Sequence, residues 1–287
     1  MLNHLGHAES NIVVPRARGQ AHIKFEARND PRRKGSITSL KELYQSDCAK
    51  VRLPKTHTED AEAVLINTSG GLVGGDILNW SVECSNHTRC TISTQACERV
   101  YRSSGDPASV STVIKIGNDA VCDWLPQETI LFEQASISRK FHVEMSETAR
   151  LFALEAVILG REDMGEKLSE IQFQDNWRIW RGETLVHAEA LRLSGDCRAL
   201  INNSAVLGGA IAFATLLYVG PEDDDTLSTR LEAVLQRHDD RLFAGSAFKN
   251  KIVMRIVARD SYQLRQFIKP LIAQFSQSGD LPKVWST

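Results

Sequence analysis

No stretch of this sequence is apolar for long enough to cross a bilayer as a helix. The most apolar segment, Ala205 to Val219, carries Gly208-Gly209 and is fifteen residues long, short of the roughly 20 that a span needs. It reads as a buried strand and turn. The first residues place His4, His7 and Glu9 where a signal peptide would have its apolar core, so no export signal is expected. Cysteine is sparse: Cys48, Cys84, Cys90, Cys97, Cys122 and Cys197 include no CxxC pair and are too few for a disulfide scaffold in 287 residues. A reduced, cytoplasmic protein fits. An excess of either charge is missing too. The formal net charge of -2 leaves no electrostatic footprint for nucleic acid. The cluster Arg32-Arg33-Lys34 reads as a solvated loop, and the acidic run Glu222 to Asp225 as a linker or turn.

The common catalytic signatures are absent as well. Gly70-Gly71-Leu72-Val73-Gly74-Gly75 is followed by Asp76 and Ile77, where a phosphate loop requires Lys and then Ser or Thr. No two glycines stand two apart, which removes the dinucleotide fingerprint. There is no GxSxG, no HExxH and no HxE with a following PCxxC, so acyl transfer, zinc proteolysis and base deamination lose their usual signals.

What the sequence does contain is alternation. Phe141, Val143 and Met145 alternate with His142 and Glu144, and Ile171 and Phe173 flank Gln172, the period of half-buried strands. Turn signals recur at Gly70 to Gly75, Ser85 to Thr88, Ser103 to Pro107, Gly117 to Asp119, Gln174 to Asn176, Gly182 and Ser194 to Asp196. Many short strands with frequent turns predict a mainly β fold. No repeat of fixed period is visible. Two helices are expected near the C-terminus. Thr226 to His238 has Leu227, Leu231, Val234 and Leu235 on one face and Thr226 or Ser228 as caps; Ser261 to Phe275 should kink or end its first half at Pro270. The β-branched run Ile252 to Val257 lies between them as a strand. Without a Pro/Ser-rich linker, residues 1–287 read as a single domain.

The stretch Ala63 to Arg102 is the most unusual. Four glycines in six positions, Gly70, Gly71, Gly74 and Gly75, predict positive φ angles or very close backbone approach. Further on, Cys84, His87 and Cys90 form CxxHxxC, with Cys97 beyond, a donor set competent for zinc, nickel or copper. Ser85 to Thr88 also reads as a hairpin turn with His87 at its tip, and buried small cysteines beside an exposed histidine are the favoured reading. Asp76, Glu162, Asp163 and Glu166 are candidate acid/base carboxylates whose ordinary place is the surface. Asp175 to Arg181 interleaves Trp177 and Trp180 with Arg178 and Arg181, residue types of interface hot spots, although cross-strand stacking accounts for one of the tryptophans.

With these residues in view, the chain resembles the UreD (UreH) family of urease accessory proteins. The likeness rests on Asn67 to Asp76 (NTSGGLVGGD), Ser93 to Gly105 (STQACERVYRSSG), Trp124 to Phe132 (WLPQETILF), Leu159 to Glu166 (LGREDMGE) and Trp177 to Gly182. These motifs place Tyr101, Arg102, Trp124, Pro126, Gly160, Arg161, Gly165, Trp177 and Arg178 with the glycines as structural positions. The resemblance implies a non-enzymatic maturation factor with an unusual helical-β, solenoid-like but non-repetitive body and two helices near the C-terminus. It implies binding to UreF directly, to the GTPase UreG through UreF, and to urease apoprotein, in support of nickel insertion and lysine carbamylation. No tightly bound cofactor is expected. Nickel is expected only in transit, along an internal passage lined by Asp76, Thr94, Gln95, Glu128 and Glu166. Two other classes remain in play: a hydrolase with a facing carboxylate pair, and a metallochaperone dependent on Cys84, His87 and Cys90.

Overall fold

Strands that alternate inward and outward side chains can wind into coils if each coil finds a neighbour to complete its hydrogen bonds. The computed structural model, which describes residues 16–29, 36–55, 58–103, 105–160, 168–236 and 242–286, shows such winding between two sheets. The chain begins with two antiparallel pairs: β1 (Arg18–Asn29) with β2 (Ser36–Asp47) in the first sheet, and β3 (Ala49–Arg52) with β4 (Ala61–Asn67) in the second. It then changes sheet at every long strand. β5 (Ile77–Cys84) lies in the first sheet and β6 (Arg89–Thr94) in the second. After the short β7 (Glu98–Val100), β8 (Ala108–Ile116) returns to the first and β9 (Val121–Leu125) to the second. The short β10 (Thr129–Leu131) precedes β11 (Ser136–Met145) in the first, β12 (Arg150–Leu159) in the second and β13 (Glu170–Arg181) in the first.

Successive coils pair in parallel, β1-β5-β8-β11-β13 on one side and β4-β6-β9-β12 on the other. The result is a two-sided β-solenoid. Its coils differ in length: Cys90 pairs with Cys122, Ile116 with Met145, and Met145 with Arg181, offsets of 32, 29 and 36 positions. Such variation leaves no fixed period in the sequence. β14 (Thr184–Asp196) closes the first sheet antiparallel to β13. α1 (Cys197–Asn202) then leads to β15 (Ala212–Val219), which joins the second sheet beside β12. α2 (Asp224–Leu235), β16 (Phe243–Phe248), β17 (Lys251–Ala258) and α3 (Ser261–Phe275) complete the chain, followed by a single 3-10 turn at Lys283–Trp285.

The space between the sheets is filled by inward residues of both, including Ile23, Phe25, Trp80, Phe141 and Trp177 from the first and Leu65, Ile92, Cys122 and Leu151 from the second. The outer face of the first sheet meets water and carries charges in register across the coils: Lys24 opposite Glu83, Glu83 opposite Lys115, and Lys115 opposite Glu144. The outer face of the second sheet is covered by α2 and α3, whose Leu227, Leu231, Leu264, Ile268 and Phe275 pack on Phe152, Leu216 and Met254. That double coverage explains why β9 is buried at all five positions and β15 at nearly all eight. No helix among the described residues is long and apolar enough to cross a membrane.

Several sequence expectations change here. Gln174 to Asn176 is not a turn but lies inside β13, because Asp175 points inward to an arginine. Ser85 to Thr88 does turn the chain with His87 at positive φ, yet it is a corner between sheets rather than a hairpin. The acidic run is the start of α2: Asp223 is the N-cap, accepting from the Thr226 amide at 2.7 Å, and Asp224 and Asp225 fill the first turn. α2 therefore begins before Thr226, and residues 237 and 238 lie outside the described part. α3 runs unbroken through Pro270, which sits on the exposed side, where the carbonyl freed by the missing N–H can be hydrated. The closing region holds two strands, β16 and β17, between its helices.

Candidate functional site

The glycine stretch between β4 and β5 is a tight corner, and its chemistry is mainly backbone. Gly70, Gly71 and Gly75 have φ of +82°, +141° and +85°, conformations open to glycine at little cost. At Gly71 a Cβ would stand 2.5 Å from the Tyr101 ring, and at Gly74 it would stand 1.8 Å from Ser103 Oγ. The corner thus packs against the next one. Leu72 N donates to Arg99 O at 2.7 Å and Tyr101 N to Leu72 O at 2.8 Å, while the Tyr101 ring meets that of Phe132 at a tilt, 5.1 Å between centres. Asp76, buried, accepts from the amides of Ala17 at 2.7 Å and Val73 at 2.8 Å.

Behind this corner a cavity of about 340 Å³ opens between the two sheets. Gly70, Gly71, Asn67, Thr94, Gln95, Cys97 and Glu98 line one side, and Trp124, Pro126, Gln127, Arg139, Glu155 and Asp175 line the other. A polar cluster forms its floor. Arg139 Nη1 donates to Thr129 Oγ1 at 3.0 Å and to Glu155 Oε2 at 2.5 Å, while Nη2 reaches Asp175. Trp124 Nε1 donates to Glu155 Oε1 at 2.9 Å. Arg99 and Lys140 line the cavity as well, so its three cationic side chains match the three acids Glu98, Glu155 and Asp175 in number. Burial holds the Glu155 carboxyl above its ordinary range although Arg139 pulls it down. At the other side, burial pushes Glu98 up to about 7 against the opposing hydrogen bonds of Asn67 Nδ2, at 3.1 and 3.2 Å.

Thr94 and Gln95 therefore line the cavity, and Thr94 Oγ1 accepts from Gln127 N at 2.8 Å. Glu128, fully buried, sits beside the wall: it is gripped by Arg265 of α3 through Nε at 2.6 Å and Nη2 at 2.9 Å, and it accepts from Cys97 Sγ at 3.3 Å. Asp76 belongs to the corner, and Glu166, with Arg161 and Gly165, lies outside the described residues. Trp177 is buried in contact with Phe141 at 5.1 Å, and Arg178 Nη1 donates to the carbonyls of Trp177 and Glu189. Arg102 bridges to Ala135, and Gly160, at φ +73°, donates to Leu131 O.

The CxxHxxC set is split. Cys84 and Cys90 are buried in the core with Cys122, whereas His87 is exposed and faces Asp119 at 3.6 Å. Among the described residues no group of three His, Cys, Asp or Glu side chains is placed to hold a metal ion. Sequence reasoning missed Glu98, Arg139, Glu155, Asp175 and Arg265. A signal existed for two of them: Glu155 is the one acid in the apolar run Leu151 to Leu159, and Arg139 falls at an inward position between Ile137 and Phe141.

The profile of the family described as "UreD urease accessory protein" matches residues 17–286. The chain belongs to the UreD family. It is 44% identical over 279 residues to the "Urease accessory protein UreD" of Rhizobium rhizogenes, covering 97% of this chain and 98% of that one. The protein of the same name from Sinorhizobium medicae is 46% identical, covering 88% and 91%, and that from Agrobacterium fabrum is 40% identical, covering 97% and 94%. Membership in the UreD family supports a role in urease maturation, and the relatives are named accessory proteins rather than catalysts.

Proposed function

We propose that this chain is a maturation scaffold that binds urease apoprotein, engages UreF directly and UreG through UreF, and offers Ni²⁺ a route into the urease active site. The observation that carries the nickel part is the cavity between the sheets, where the oxygen donors Asn67, Thr94, Gln95, Glu98, Glu155 and Asp175 stand among apolar side chains and the cations Arg99, Arg139 and Lys140. Hard or borderline oxygen donors release a divalent ion readily, whereas a closed thiolate cage would retain it. Thr94, Gln95 and Glu98 are the cavity-lining donors on the side of the glycine corner. Asp76, Glu128 and Glu166 extend the route as candidate positions. The two acids Glu155 and Asp175 share Arg139, so they form a charge-compensated floor rather than the free acid/base pair a hydrolase needs. UreF is assigned to the C-terminal region, whose helices present exposed surface.

The test is reconstitution. The chain should co-purify with urease subunits and UreF, and urease activation should fall to background when it is omitted. Full activation in its absence would overturn the proposal.

A further inference from the structure

A strand that ends a sheet offers unpaired backbone to any other strand unless something turns that strand away. The two sheets end in β2, β3, β14 and β16, and three of these are guarded. β2 carries Lys41 and Glu42 where its ladder with β1 bulges. β3 is four residues long and bears Lys50 and Arg52. β14 bulges against β13 near Trp180, and Lys251 Nζ takes up its Val186 carbonyl. β16 has no such guard. Its sequence FAGSAF includes no charge and no proline, and its ladder with β17 runs without a bulge.

The phase of the outward groups follows from the turn. Lys249 and Asn250, both at positive φ (+50° and +57°), join Phe248 to Lys251, a two-residue hairpin whose closing pair exchanges both hydrogen bonds. Ala244, Ser246 and Phe248 therefore bond to β17, in step with Val257 N donating to Leu242 O at 2.9 Å, and the N–H and C=O groups of Gly245 and Ala247 point away from it. No other described element takes them up. Gly245 turns toward α2, where a Cβ would stand 2.7 Å from Leu231 Cδ1, while Ala244, Ser246 and Phe248 are exposed on the other face.

We propose that β16 pairs antiparallel with β16 of a second copy of this chain, about a two-fold axis at Ser246. In that register Gly245 of each copy lies opposite Ala247 of the other, so the outward N–H and C=O groups of both residues find partners. Ala244 leaves room for the Phe248 ring of the second copy, and Ser246 faces itself. A two-fold axis sets the residues at its centre against their own copies, where a charge would meet its like. β16 is the one strand of the four that has no charge to place there. The contact is independent of whether nickel uses the cavity.

Sedimentation velocity of the full chain tests the pairing. A contact through one strand is small, so the parent should pass from monomer to dimer in the micromolar range. Ser246→Lys and Ser246→Asp each set a charge against its own copy at an exposed position. Each should raise the dissociation constant at least about tenfold while leaving the circular dichroism spectrum unchanged. An equimolar mixture of the two variants should dimerise again, because opposite charges then meet across the axis. That rescue requires Ser246 to face Ser246, and it also shows that both variants are folded. A parent that stays monomeric throughout that range would overturn the inference in favour of a strand from another protein as the occupant of the edge. A parent dimer that both variants retain, or a mixture that stays monomeric, would overturn the pairing itself.

Discussion

Asp76 satisfies two backbone amides, Ala17 N and Val73 N, with one carboxylate. Asp76→Ala leaves both donors without that acceptor at a buried site, and the expected cost is about 2 kcal/mol, read as a lower midpoint in urea unfolding. A variant as stable as the parent would show that the carboxylate serves something other than the corner. Asp123 makes a contrasting case. Burial pushes its carboxyl up to about 7 from an ordinary 3.8, against the hydrogen bond from Gln277 N. Between about pH 4 and pH 7 the folded chain keeps a proton that the unfolded chain releases, so this group favours folding most at low pH, and its contribution is lost as the pH rises. Asp123→Asn removes the cost of ionisation and keeps an acceptor. It should be more stable than the parent by roughly 4 kcal/mol well above pH 7, with no advantage below pH 4. Unfolding midpoints measured across that range decide it.

At the scale of elements, α2 depends on the cap Asp223. Asp223→Ala should cost about 1 kcal/mol in thermal or urea unfolding, whereas Thr226→Ala, at the cap the sequence pattern suggests, should cost less. The strand content was legible because Phe141, Val143 and Met145, or Ile171 and Phe173, alternate as half-buried strands must. The winding was not legible from residues alone. Coils of 29, 32 and 36 positions erase any repeat, and the partners of a parallel strand lie a whole coil away. The same distance hid the site: Arg139, Glu155 and Asp175 stand on β11, β12 and β13 and meet only when three successive strands stack. Local chemistry fared better. The glycines of the corner were readable as positive φ and close packing, because both follow from the missing side chain itself. Pro270 misled for an equally physical reason, since a proline on the solvent side of a long helix leaves a carbonyl that water can satisfy.

The whole molecule is a β-solenoid with one outer face charged and exposed, the other covered by helices, and a cavity lined by both apolar and charged side chains between. In the proposed role the surfaces for assembly lie outside, and the cavity between the sheets is offered to a cation. The measurement that tests this most directly is the nickel bound per urease active site after maturation in cells that supply the chain with an obstructed cavity. Ala96 is exposed and lines the cavity, so Ala96→Trp places a large ring at the cavity lining while leaving the helices and the outer faces intact. The account predicts that Ala96→Trp still co-purifies with urease and its accessory partners, yet leaves nickel occupancy at least about tenfold below that obtained with the parent chain, a barrier of roughly 1.4 kcal/mol or more. Full nickel occupancy with the folded, complex-forming variant would contradict it.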